Sequence, residues 1–173
     1  MKIAITGGTN GIGKAILDHY VQKGHTVLDY SKRNGWDIAN HEYLAERIAQ
    51  ADWFFNNAQQ GYAQTELLFD VYEYWKDKPG KKIINISSMM AGMTVSCLDG
   101  YHMLKYHHQK RALESAVELL RNNQTWPQLV IVRPGKVDTQ KEGGANVHAW
   151  VKRLTTILEN DQVGMEIYDV SIA

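Results

Sequence analysis

The sequence of 173 residues has a single cysteine, Cys97. A lone cysteine forms no internal disulfide, and no Cys/His spacing fits zinc, so neither a disulfide framework nor a structural metal is expected to hold this fold. A reducing, cytoplasmic setting is the expectation. Charge of one sign is also missing: 19 Lys and Arg balance 19 Asp and Glu, for a formal net charge of zero. Without a basic surplus, nucleic acid is not an expected partner, and without a run of roughly five or six like charges no charged tail is implied. No apolar run approaches the roughly 18 residues of a membrane span, so no membrane association is expected. Residue 1 leads straight into a strand pattern, so no signal peptide is read there. Internal repeats and low-complexity segments are absent. His102, His107 and His108 lack carboxylate or cysteine company at ligand spacing and read as polar helix residues, with no metal site expected. What is there is 44% apolar residues, enough to give one domain over 1–173 a core.

The most informative stretch is the first thirteen residues, MKIAITGGTNGIG. Lys2 to Thr6 reads as a short buried strand, Gly7, Gly8, Gly11 and Gly13 break it, and an amphipathic helix follows. Glycines allow a tight turn and a close backbone approach to a pyrophosphate, and the helix N-terminus offers N–H groups and the positive end of its dipole. The spacing Gly7-x-x-x-Gly11-x-Gly13 differs from the general G-x-G-x-x-G fingerprint. The strand before the loop and the helix after it point to a dinucleotide site.

Further along, Ile12, Ala15, Ile16, Tyr20 and Val21 recur at helical spacing, and Lys23-Gly24 closes that helix. His25 to Tyr30 is a second strand, parallel to the first through a βαβ unit. Trp36 to Ile38 reads as a very short extended piece. Asn40 to Ala51 reads as a helix capped by Asn40, with Tyr43, Leu44, Ile48 and Ala51 on one side. Trp53 to Phe55 is a buried strand and Thr65 to Trp75 a helix. Ile83 to Ile86 is a strand ending at Ser87-Ser88. After a loop from Met89 to about Gly100, a helix runs to about Asn123. Leu129 to Val132 is a strand, Val147 to Leu158 a helix, and Met165 to Val170 a last strand. Strands alternating with helices predict an α/β fold, a doubly wound parallel sheet of Rossmann type. Ligands of such folds sit beyond the carboxyl ends of the strands. Those ends carry the Gly7 loop, Ser31 to Arg33, Asn56 to Gln59, Ser87-Ser88 and Pro134 to Thr139, so the polar candidates converge on one rim.

After the second strand, a carboxylate would suit the adenosine ribose hydroxyls and a basic residue a 2′-phosphate. Asp29 stands two residues too early, and Ser31-Lys32-Arg33 offer a hydroxyl and two cations. This favours NADP(H) over NAD(H).

Two tyrosines stand four residues before a lysine, Tyr101/Lys105 and Tyr106/Lys110, a spacing that shares a helix face. An ammonium near a phenol favours phenolate, and such a tyrosine can pass a proton to a carbonyl oxygen or take one from an alcohol. A serine hydroxyl at the neighbouring strand end can hold the same oxygen. The two pairs lie about 140° apart around the helix, so one faces the site. Ala112, Leu113, Ala116, Val117, Leu119 and Leu120 continue the face of Lys110, which selects Tyr106 and Lys110. Tyr101, thirteen residues after Ser88, is the reserve.

Six segments in order now resemble the short-chain dehydrogenase/reductase family: Thr6 to Gly13, Asp37, Asn56-Asn57-Ala58, Asn85 to Ser88, Tyr106 to Lys110, and Pro134 to Thr139. The resemblance implies an oxidoreductase moving hydride between NADP(H) and a carbonyl or secondary alcohol. Catalytic Ser88 would orient the substrate carbonyl and catalytic Tyr106 would be the acid/base. Catalytic Lys110 would bind the nicotinamide ribose and lower the tyrosine pKa. Gly7, Thr9, Asn10, Gly11, Ile12 and Gly13 would cradle the pyrophosphate. Asp37, with Ile38, would meet the adenine. Asn57 and Ala58 would line the adenosine side, and Pro134, Gly135, Val137 and Thr139 would pack around the nicotinamide and its phosphate. There are departures. The chain is short for the family, the helix between the second and third strands reads as missing, and Gln59 stands where the family has glycine. No asparagine lies between Ala58 and Ile83 to supply the fourth catalytic residue, which holds a water of the proton relay. A non-catalytic NADP(H) sensor or binding module is therefore the alternative, and an isomerase or dehydratase using the cofactor transiently is permitted. Met89, Met90, Met93, Leu98, Tyr101, Met103 and Trp150 are candidates to line an adaptable apolar pocket. Tyr72, Tyr74, Trp75, Leu119 and Leu120 are expected to pair the chain into a homodimer or homotetramer, with completion of the monomer core as the other reading.

Overall fold

The computed structural model describes residues 1–122, 126–139, 144–160 and 169–172. Six parallel strands form the sheet in the order β2-β1-β3-β4-β5-β8: β1 (Lys2–Thr6), β2 (Thr26–Tyr30), β3 (Trp53–Asn56), β4 (Lys82–Ile86), β5 (Gln128–Pro134) and β8 (Asp169–Ile172). A small parallel pair, β6 (Val137–Asp138) and β7 (Ala145–Asn146), stands apart from it. The chain winds outward from β1 to β2, then returns to build the other side from β3. The reversal between β1 and β3 leaves a crevice at their carboxyl ends, the place where such folds take ligands.

Among the described residues, five α-helices cover both faces: α1 (Gly11–Gln22), α2 (His41–Ile48), α3 (Ala63–Trp75), α4 (Tyr101–Arg121) and α5 (Val147–Glu159). Alternation along the strands assigns the layers. Ala4, Phe54, Ile83, Leu129 and Ile131 face α2, α3 and α4 through Leu44, Ile48, Leu67, Val71, Trp75, Leu113 and Val117. Ile3, Ile5, Phe55, Ile84, Val130 and Val132 face α1 and α5 through Ile16, Tyr20, Val151, Leu154 and Leu158. Strands covered on both faces bury nearly every residue, and the run Lys82–Ile86 is buried throughout.

Several readings change. Trp36 to Ile38 form no strand. The connection from β2 to β3 is therefore a single helical crossover, and α2 is the helix that had seemed missing. Asn40 starts α2 without a side-chain cap hydrogen bond, and Tyr43 is exposed, stacked on Trp36 at 5.9 Å. Trp150 is 2% exposed and donates through Nε1 to Ile172 O at 3.2 Å. It is a core residue of α5, where its bulk fills the space under β8, and not part of a substrate pocket. Tyr72, Trp75 and Leu120 also finish the monomer core, while Tyr74 and Leu119 stay exposed. The last strand begins at Asp169 among the described residues; the reading of residues 165–168 lies outside them.

Candidate active site

The loop between β1 and α1 is held from β3. Thr6 Oγ1 accepts the N–H groups of Asn57 and Ala58, both at 3.0 Å, and Asn57 Nδ2 donates to Thr6 O at 3.0 Å and Gly7 O at 3.3 Å. Gly7 takes a left-handed φ of +71°, which a side chain resists. At Gly13 a Cβ would lie 2.1 Å from Gly7 O, so only glycine lets α1 approach the turn. Asn10 starts α1 with no side-chain cap bond, which leaves the first N–H groups of a twelve-residue helix facing the crevice. An unpaired N-terminus with its dipole suits an anion such as a pyrophosphate.

That crevice is a cleft of about 370 Å³ lined by Asn10, Gly11, Ile12, Gly13, Asn57, Gln59, Ile86, Ser87, Ser88, Tyr106, Lys110, Pro134, Gly135, Val137 and Thr139. Twelve of the site residues read from the sequence thus meet in one place. Gly7 and Ala58 lie just behind them, in mutual contact with Asn57. Thr9 is half-buried in the same loop.

The adenosine-side candidates stand differently. Asp29 accepts the Gly8 N–H at 3.1 Å, the Ser31 hydroxyl, and the Asn34 amide at 2.9 Å. Ser31 is buried and engaged with it. Lys32 Nζ lies 2.8 Å from Asp37, and this ammonium together with the Ala39 N–H holds the Asp37 carboxyl below its ordinary range. Arg33 is exposed. Asp37 opens on a separate hollow of about 280 Å³ with Asn34, Trp36, Asn40 and Tyr43. The Ile38 side chain is buried in the core below α2, because the turn after Asp37 directs it inward, and it does not reach the cleft.

The catalytic candidates sit where β4 ends and α4 passes. Ser88 and Tyr106 both line the cleft, and the Lys110 Nζ lies 5.5 Å from the centre of the Tyr106 ring. Tyr101 is 74% exposed and lies off the cleft, whereas Tyr106 lines it. The electrostatics differ from the sequence expectation. Burial raises the Tyr106 pKa, and the neighbouring Ser88 side chain only opposes that rise. Lys110 is 3% exposed, and burial lowers its pKa to about 7, with Glu114 opposing. A desolvated lysine that is partly neutral near pH 7 exerts less of the charge that would stabilise a phenolate.

Three further neighbours bear on the site: Gln59, placed on the rim by the sequence, and Glu114 and Gln64, which escaped the sequence reading. Gln59 lines the cleft and donates from Nε2 to Gln109 Oε1 on α4. Glu114, buried one turn beyond Lys110, accepts from Ser87 Oγ at 2.6 Å and from Arg133 at 2.8 and 2.9 Å. Gln64, on the first turn of α3, accepts from Lys110 Nζ at 2.9 Å. The i, i+4 spacing of Lys110 and Glu114 could have revealed the second; Gln64 is 46 residues away from Lys110 and carried no local signal.

No family model matches this sequence, and no curated protein does. Solved structures do match. A short-chain dehydrogenase of Burkholderia cenocepacia J2315, in complex with NADP, superposes with a TM-score of 0.77 at 17% identity, covering 99% of this chain and 87% of that one. A short-chain dehydrogenase/reductase of Vibrio parahaemolyticus gives 0.74 at 15%, covering 98% of each chain. The 3-alpha-hydroxysteroid dehydrogenase of Pseudomonas sp. B-0831, complexed with NADH, gives 0.74 at 16%, covering 99% and 95%. The chain has the short-chain dehydrogenase/reductase fold. In this short-chain dehydrogenase/reductase fold the cleft lies at the carboxyl ends of β1, β3, β4 and β5. Among the described residues no group of three His, Cys, Asp or Glu side chains is placed to hold a metal ion, and no helix is long and apolar enough to cross a membrane.

Proposed function

We propose that the chain is a short-chain dehydrogenase/reductase that uses NADP(H) on a carbonyl or secondary alcohol. One observation carries this reading: Ser88, Tyr106 and Lys110, from β4 and α4, line the same cleft as the glycine loop and the open end of α1. The loop glycines and the first N–H groups of α1 would hold the pyrophosphate. Pro134, Gly135, Val137 and Thr139 would border the nicotinamide half. The bound nicotinamide supplies or accepts the hydride. Ser88 would hold the substrate oxygen, and Tyr106, kept protonated by burial, would give its proton to that oxygen during reduction.

Preference for the 2′-phosphate is supported by the adenosine side. The Asp29 carboxylate, which could otherwise receive ribose hydroxyls, already accepts three hydrogen bonds from Gly8, Ser31 and Asn34. Arg33 is exposed beside it in sequence and can meet a phosphate. The exposed thiol of Cys97 fits a reducing compartment such as the cytoplasm.

Screening NADPH oxidation against aldehydes, ketones and quinones tests the activity. Turnover is expected with at least one class, and Tyr106→Phe is expected to reduce it by about 10²–10⁴-fold while NADPH affinity stays within about threefold of wild type. Binding without oxidation by the wild type across the panel would favour the cofactor-sensing alternative. We further propose that exposed Phe69 and Tyr74 on α3 and Leu119 on α4 pair two copies. Light scattering is expected to give twice the 19.7 kDa chain mass or a higher multiple; a monomer would contradict the pairing.

A further inference from the structure

Lys110 is a cation carried on α4 into a place almost closed to water. An ammonium there requires acceptors for its protons, and two are present: Ile86 O at 2.8 Å and Gln64 Oε1 at 2.9 Å. Ile86 O is backbone at the end of β4. Gln64 is a side chain from another helix, itself 3% exposed, and its amide cannot turn. Its Nε2 donates to Asn56 O at 2.7 Å and again to Ile86 O at 3.1 Å. Asn56 Nδ2 in turn donates to Gln64 O at 2.9 Å and to Asn85 Oδ1 at 3.0 Å. With both amide protons committed to strand ends, only Oε1 can face Lys110. A network in which each buried group fixes the next holds one arrangement.

We propose that Gln64 is the positioning residue of this site: its side-chain carbonyl holds Lys110 Nζ directly against β4 and under Tyr106, in place of the asparagine-held water for which this chain has no residue. The inference rests on the reductase reading of the same cleft. Gln64 does not touch the cleft surface, so it acts through Lys110 and not on the substrate.

Among the described residues, the ionisable groups around Lys110 are few. Tyr106 and Glu114 lie on its own helix, and Arg133 from β5 is paired with Glu114. On α3, Glu66 and Asp70 turn instead to His41 of α2. Ile86 O is fixed backbone, so Gln64 Oε1 is the neutral acceptor of Lys110 that a substitution can remove. A carbonyl stabilises the ammonium more than the amine, so removing it favours the amine.

The test uses Gln64→Met, which keeps the side-chain length without the amide, and Gln64→Asn, whose amide is one methylene short. Lysine-labelled NMR across pH 5.5–10 follows Lys110, assigned by loss of its signal in Lys110→Met, while steady-state kinetics follow carbonyl reduction. The wild-type Lys110 midpoint is expected near 7. Gln64→Met should lower it by about one unit and reduce kcat by about 10–100-fold, the effect of one hydrogen bond to a charged group, with KM for NADPH within about threefold. Gln64→Asn should be intermediate in both readouts, and it supplies the comparison if Gln64→Met does not fold. An unmoved midpoint and kcat in a folded variant would overturn the assignment. If the wild type shows no turnover yet its Lys110 midpoint still answers to Gln64, the positioning role stands and only the reductase reading falls.

Discussion

Lys110 shows at the scale of one residue how function and stability pull against each other. The folded protein buries it, and its pKa falls to about 7 from the ordinary 10.5. Between those values the unfolded chain binds a proton that the folded one does not, so folding becomes more favourable as pH rises through that window. Below about pH 7 both states are protonated and the full penalty of burying the charge remains. Comparison with Lys110→Met isolates this group. From pH 7 to 9 the wild-type Tm is expected to gain on the variant by roughly 2–4 °C per pH unit, and equal pH slopes would show that Lys110 titrates normally. The Tyr-x-x-x-Lys spacing and the apolar face beyond it made this residue and Tyr106 legible in the sequence. The direction of the pKa shifts was not legible, because it depends on how deeply α4 sinks against β4. Nor was Gln64 legible, since nothing local links α3 to a lysine on α4.

At the scale of elements, the β1 loop and the start of α1 are the best-specified part of the molecule. The glycine pattern, the strand and the helix were all readable from thirteen residues, and the structure adds the reason that Gly13 must be glycine. Its missing Cβ leaves room for Gly7 O and for the Asn57 amide, with would-be contacts of 2.1 and 2.6 Å. Gly13→Ala should force α1 away from the turn, at a cost of about 1–3 kcal/mol in chemical denaturation. NADPH affinity should fall with it. Unchanged stability and affinity would mean that the loop is not packed as described. The β2–β3 connection was misread for a related reason. Trp36 and Ile38 flank Asp37 in a strand-like alternation, yet Trp36 packs edge-on against Tyr30 at 5.0 Å and Ile38 fills the core below α2. Side chains that look like one face of a strand are here the two anchors of a turn, and alternation over so few residues cannot separate the cases.

At the scale of the whole molecule, strand order puts the loops after β1, β3, β4 and β5 on one rim, so residues as distant in sequence as Asn10 and Thr139 share a cleft. The alternation of strands and helices was enough to foresee that convergence, whereas the burial of Trp150 depended on β8 lying beside β5 and was not foreseeable. The central claim is that this rim is a dinucleotide site with a preference for the 2′-phosphate. Isothermal titration with NADPH and NADH tests it most directly. The expected result is saturable binding of one NADPH per chain, at least about tenfold tighter than NADH, a difference of about 1.4 kcal/mol. Binding of neither nucleotide would contradict the claim outright, and tighter binding of NADH would contradict the phosphate role proposed for Arg33.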